Sequence, residues 1–114
     1  MAGLEGRLPT DLWVGAHVRR CIAEAVPVTV ARKGDPGGGL LLLKLNQYEA
    51  GCRVLSQTRD ADGEPAWMAA MDGALMPETE ADAYIARAVA RDPDLWVLEI
   101  EHKEGWHPFA GRVL

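Results

Sequence analysis

The densest run of residues able to hold a ligand is Arg32-Lys33-Gly34-Asp35-Pro36-Gly37-Gly38-Gly39. Glycines let neighbouring backbone N–H groups point together, and two adjacent cations suit a phosphate or carboxylate. A phosphate loop of the Walker kind carries its lysine after the glycines and opens a helix. Here the lysine comes first and an apolar, strand-like run from Leu40 to Leu43 follows. An acyl-CoA loop would need a following helix as well. The same residues are strong turn formers, and Asp35-Pro36-Gly37 suits a hairpin bend. The segment is therefore read first as a turn, with Arg32 and Lys33 kept as candidate anion-binding residues.

A second constellation is Trp13, His17 and Arg20, an aromatic, an imidazole and a cation on successive helical turns. A ligand could stack on Trp13 while His17 bonds it; the plainer reading has both side chains covering the edge of the core. His17 and Cys21 stand four apart, with Cys52, His102 and His107 as distant partners, but zinc sites carry paired short spacings and this chain has one such pair. No metal and no cofactor are expected. Glu99 and Glu101 share one side of a strand-like run, and Asp92 and Asp94 bracket Pro93. Paired carboxylates can divide acid and base roles, yet alternation places the two glutamates on a solvated face. No Ser, Cys or Thr stands in a nucleophile motif, so no catalytic residue is assigned. Near the end, Trp106 and Phe109 are either an exposed anchor for a partner or, in the preferred reading, a lid folded over the core.

These residues need elements to position them. Thr10 or Asp11 can cap a helix to about Glu24, with Val14, Val18, Cys21, Ile22 and Ala25 inward. Short strands are expected at Pro27–Arg32, Leu40–Asn46, Cys52–Thr58 and Pro65–Ala69, the last two joined by the Asp60-Ala61-Asp62-Gly63 turn. Thr79 can cap a second helix, with Asp82 as its capping-box partner and Ala81, Tyr84, Ile85, Ala88 and Val89 inward. Pro93 stops it and excludes Asp92 from the helix. Trp96, Leu98 and Ile100 then alternate with Val97, Glu99 and Glu101 as a half-buried strand. The order α-β-β-β-β-α-β predicts an α+β fold: two helices on one face of a mostly antiparallel sheet of about five strands. Residues 1–114 are expected to be a single domain, with residues 1–7 as a loose tail.

Several of these segments together resemble a family of small bacterial proteins known as domain of unknown function 1491. The resemblance is carried by Leu8-Pro9-Thr10-Asp11-Leu12-Trp13-Val14, Arg32-Lys33-Gly34-Asp35 and Pro65-Ala66-Trp67-Met68. It is carried most by Glu80-Ala81-Asp82-Ala83-Tyr84-Ile85 and Arg91-Asp92-Pro93-Asp94-Leu95-Trp96-Val97, and it spans roughly residues 7 to 109. It implies a compact bacterial domain with no assigned activity and transfers no catalytic residue.

Composition narrows the classes left. With 48% hydrophobic and 25% charged residues, the chain has the balance of a globular protein. No apolar run approaches the ~20 residues of a membrane helix, and the first ten residues lack a basic head and apolar stretch, so a cytoplasmic protein is expected. The net charge of −5 and a pI near 5.1 disfavour general nucleic-acid binding, which would need Arg19, Arg20, Arg32 and Lys33 to converge. Charge is uneven: residues 1–59 hold eight basic and five acidic residues, residues 60–114 four and twelve. That asymmetry, four tryptophans and the aromatic tail favour a non-catalytic interaction module, binding a protein partner or forming a homodimer. The alternative is a small-molecule or anion-binding protein, enzyme or not, built on the Arg32-Lys33-Gly34 turn. Arg32, Lys33, Trp13, His17 and Trp106 are the candidate binding residues.

Overall fold

The computed structural model describes residues 8–114; the tail expected at residues 1–7 lies outside the described residues. Among the described residues two α-helices, α1 (Thr10–Ala23) and α2 (Glu78–Arg91), accompany six strands. These are β1 (Val28–Arg32), β2 (Leu41–Asn46), β3 (Cys52–Arg59), β4 (Pro65–Ala69), β5 (Trp96–Glu101) and β6 (Arg112–Val113). They form one sheet in the order β1-β5-β2-β3-β4-β6. The α+β class stands, and the sheet differs from expectation in three ways. It has six strands, because the tail after Phe109 pairs along β4. It is mixed: β5 runs parallel to β2, and β6 parallel to β4. And β1 is not the neighbour of β2, because β5 inserts between them.

The helices also lie on opposite faces, not on one. The cause is β2, whose residues Leu41 to Leu45 are all buried. Side chains alternate along a strand, so Leu41, Leu43 and Leu45 face one way and Leu42 the other. The first set packs with Leu98, Ile100 and Trp96 of β5 and with Val14 and Cys21 of α1. Leu42 packs with Val54, Val97 and Ala81, and Tyr84, Ile85, Ala88 and Val89 of α2 close over them. Each fully buried leucine contributes on the order of 2 kcal/mol, so a sheet centre apolar on both sides needs cover on both.

Details of the helices follow from this packing. In α1, Ile22 is 65% exposed, because the helix face turned to the sheet runs through Val14 and Cys21. Ala25 is also exposed, past the helix end and at positive φ. Neither helix has a side-chain cap: Pro9 and Pro77 precede them, already near helical φ. Thr79 therefore lies inside α2, and Asp82, expected in a capping box, is used elsewhere. Asp92 is extended and ends α2 as Pro93 requires.

Asp82 is drawn to Lys44, the one charged residue in the buried stretch of β2 (5% exposed). The Lys44 ammonium donates to Glu78 at 2.7 Å and Asp82 at 2.8 Å, with Glu99 at 3.7 Å. Glu99 also accepts from Asn46 Nδ2 at 3.0 Å. Glu99 is thus not on a solvated face, because α2 covers it. Burial alone would push the Lys44 ammonium toward neutrality. Hydrogen bonds to Asp82 and Glu78 and the Glu99 charge outweigh that, so it titrates above the ordinary lysine value of 10.5.

Both edges of the sheet are blunted against further pairing. The register of β1 against β5 shifts between Val30 and Arg32, a bulge on the outer strand, and β6 is two residues long.

Replacing Lys44 by Ala strands three carboxylates and opens a void. The expected loss is below the roughly 3–5 kcal/mol of a fully buried pair, since Glu78 and Asp82 are more than half exposed. Lys44→Met, which keeps the packing, should cost less. Because the folded value is raised, the Lys44 contribution is complete below pH 10.5 and lost only as pH rises through the higher folded value. Urea unfolding of wild type and Lys44→Met across the alkaline range measures the difference, which should shrink as pH climbs.

Candidate functional site

Polar and aromatic groups from five stretches of chain converge on one cleft of about 540 Å³. Trp13 and His17 of α1 form part of its wall, Gly37–Leu40 another, and Gln57, Thr58 and Arg59 at the end of β3 a third. The β3–β4 hairpin adds Glu64 and Pro65, and the tail adds Ala110. Its volume falls in the range of small-molecule sites. A second depression of about 500 Å³ is lined by the β2–β3 turn and Lys103 alone, with no aromatic wall beyond Tyr48.

The glycine-rich wall is built for close packing. Thr10 Oγ1 donates to Gly39 O at 3.0 Å, tying the start of α1 to the loop. A Cβ at Gly34 or Gly39 would lie 2.1 Å from Asp94 O, inside the β5 turn. Gly38 N and Gly39 N donate to the Asp35 side chain and carbonyl, so the loop closes on itself as a turn. Trp96 Nε1 donates to Asp35 O at 2.8 Å and pins it to the core.

On the opposite wall the aromatic residues interlock. His17 Nδ1 donates to Trp13 O at 2.8 Å. The His17 ring lies flat on Phe109, centroids 4.1 Å apart and planes 8° apart, and Trp13 meets both rings edge-on. Phe109 is buried and touches Trp67 edge-on, and Trp67 Nε1 donates to Ala110 O at 3.0 Å. The tail is therefore a structural wall of the cleft.

Of the five candidate binding residues, the structure brings Trp13 and His17 together here and leaves the others out. Arg32 donates to Leu95 O at 2.8 Å, a strand-to-turn tie that engages its guanidinium. Lys33 is exposed and does not line the cleft. Trp106 is partly buried against the core below Arg20, whose guanidinium lies 6.0 Å from its ring centre. With Phe109 buried, the tail aromatics form the lid. Arg20 also reaches Glu24 at 3.6 Å, so two of the four cations considered for nucleic acid are engaged within the chain. Cys21 and Cys52 are free thiols in the cores on opposite faces of the sheet, and burial raises both. Among the described residues no group of three or more His, Cys, Asp and Glu side chains is placed to hold a metal ion. No helix among them is long and apolar enough to cross a membrane. Sequence reasoning missed Gln57, Arg59 and Glu64 as cleft residues, and only hairpin closure puts them opposite α1.

The family model described as a protein of unknown function, DUF1491, matches residues 8–110. This chain belongs to the DUF1491 family. A crystal structure at 1.87 Å of a DUF1491 family protein from Caulobacter crescentus CB15 shares 40% identity. It superposes with a TM-score of 0.83, covering 94% of this chain and 99% of that one. An NMR structure of a DUF1491 family protein from the same organism shares 39% identity with a TM-score of 0.79, over 95% and 97% of the two chains. The solution structure of protein Atu0922 from A. tumefaciens, at 23% identity and a TM-score of 0.68 over 84% and 86%, shows the same fold. No curated protein matches the chain. The family is of unknown function, so what this DUF1491 member does is argued from its own cleft.

His107, in the tail beside Trp67 and Phe109, reports on the closed tail. Burial holds the His107 imidazole below its ordinary value of 6.5, and the nearby His17 charge pushes the same way. Its Nδ1 accepts from Phe109 N at 3.2 Å. With the folded value depressed, the unfolded chain binds the extra proton, so stability falls as pH drops through 6.5 toward the folded value. Thermal unfolding between pH 7.5 and 5.5 should show this decline, and His107→Gln should flatten it.

Proposed function

We propose that this DUF1491 protein is a small-molecule-binding protein whose ligand sits in the cleft between α1, the glycine-rich turn and the β3–β4 hairpin. The observation that carries the reading is convergence: Trp13 and His17, the Gly37–Gly39 backbone, and Gln57, Arg59 and Glu64 face one space from separate segments. Pockets of this kind pair an apolar or aromatic wall with a few placed polar groups. Leu8 and Leu40 supply further apolar rim, each about half exposed.

The reading departs from binding through Arg32 and Lys33, since neither lines the cleft. It also ranks above a partner-binding module. The aromatic residues that favoured a protein interface are part of the core or its cover, and both sheet edges resist extension. No reaction is proposed, because no nucleophile with its base is assembled in the cleft among the described residues. Thr10, the one buried hydroxyl among the described lining residues, donates to Gly39 O.

A thermal-shift screen against a broad set of soluble metabolites tests the reading. Binders should lose their shift in Trp13→Ala and in Arg59→Trp, which fills the cleft from the α1 side of β3. They should keep it in Arg32→Ala and Lys33→Ala. A ligand indifferent to both cleft variants, or dependent on Arg32 and Lys33, would move the site elsewhere.

A further inference from the structure

We infer that the cleft selects a neutral, planar heteroaromatic molecule that presents an N–H donor, with His17 Nε2 as the acceptor that chooses it. This rests on the reading of the cleft as the ligand site and adds its chemistry.

The argument begins with the tautomer. A carbonyl oxygen only accepts, so the 2.8 Å contact between His17 Nδ1 and Trp13 O places the proton on Nδ1. The neutral ring then has one lone pair, on Nε2, and no other nitrogen for a ligand to meet. Stacking on Phe109 and the edge contact with Trp13 hold the ring plane, and Phe109 is anchored by Trp67. His17 is partly exposed and lines the cleft. A fixed acceptor favours a ligand N–H and opposes a carboxylate, which would set lone pair against lone pair.

Charge at the cleft argues the same way. The cation among the described lining residues, Arg59, shares the lining with the Glu64 carboxylate and donates to Gly63 O at 2.8 Å within its own hairpin. Among the described residues the lining therefore carries no surplus positive charge for an anion. Gln57 Oε1 is taken by Leu41 N at 2.8 Å, which leaves its NH₂ as a donor for a ring nitrogen or carbonyl of the ligand. Trp13 supplies an aromatic surface, and every heteroaromatic ring has a face that can stack on it. Donor edge, acceptor edge and flat apolar body together describe the nucleobase and indole class.

Calorimetric titration of the full chain at pH 8 with adenine, indole, 1-methylindole and 1-naphthoate tests this. Indole and adenine should bind. Methylating the ring nitrogen leaves Nε2 without its partner, so 1-methylindole should bind about tenfold more weakly. 1-Naphthoate should be weaker than indole by at least as much. In His17→Phe, which keeps a ring on Phe109, indole and 1-methylindole should become equal. Adenosine and AMP separate a base recognised alone from a nucleotide: AMP should gain nothing over adenosine. The inference is overturned if 1-methylindole matches indole in wild type, if 1-naphthoate binds best, or if His17→Phe preserves the discrimination. Any of these, with binding still blocked by Arg59→Trp, leaves the cleft as the site and removes only this ligand class. Failure of all six compounds to bind removes the class, and the metabolite screen then judges the cleft independently.

Discussion

The parallel pair of β2 and β5 at the sheet centre is the constraint to which the other elements respond. Both strands are apolar on both faces over most of their length, so neither face can be left to water. Helix α1 closes one face and α2 the other, and the outer strands extend the layer to edges that are short or bulged. Lys44 is the exception in the middle of that apolar stretch, and its ammonium is held by carboxylates of α2 and β5. A buried cation with its counter-charges on another element fixes where that element lies. Greasy contact alone would tolerate sliding; a charge that must meet two carboxylates near 2.8 Å does not. The α2 packing is thus specified by charge as well as by volume.

The opposite face is organised by aromatic interlock. Trp13, His17, Phe109 and Trp67 meet at edge and face contacts, and the tail is threaded between them. Because α1 covers the sheet centre, the ground over β3 and β4 is left to the tail and the glycine-rich turn, and the cleft is the space these leave. Its walls are rigid for identifiable reasons: glycine close packing against Asp94, the Trp96 indole on Asp35 and the Trp67 indole on Ala110. A preformed site limits the ordering cost of binding, which is one physical reason to look for a ligand here and not on the open faces of the helices.

The two families of candidate residues fared differently. Trp13 and His17 share a helix stripe, and helical spacing kept them together in three dimensions, where they line the cleft. Arg32 and Lys33 are adjacent on an extended segment, where successive side chains point to opposite sides. One is spent on Leu95 O and the other is left exposed. Adjacency in a strand is a poor guide to convergence, while a four-residue step in a helix is a good one.

Local patterning alone determined the two helices and the first five strands, the stop at Pro93, the 60–63 hairpin and the inward stripe of α2. Each of these depends on interactions within a few residues. The tertiary structure decided what depends on distant partners. It set the insertion of β5 between β1 and β2, the division of the helices between two faces, and the sixth strand. It also decided the fate of Lys44, a charge that interrupts a leucine run. No local rule records which element will bring the carboxylates that allow a lysine to be buried, because that choice is made by packing across some forty residues of intervening chain.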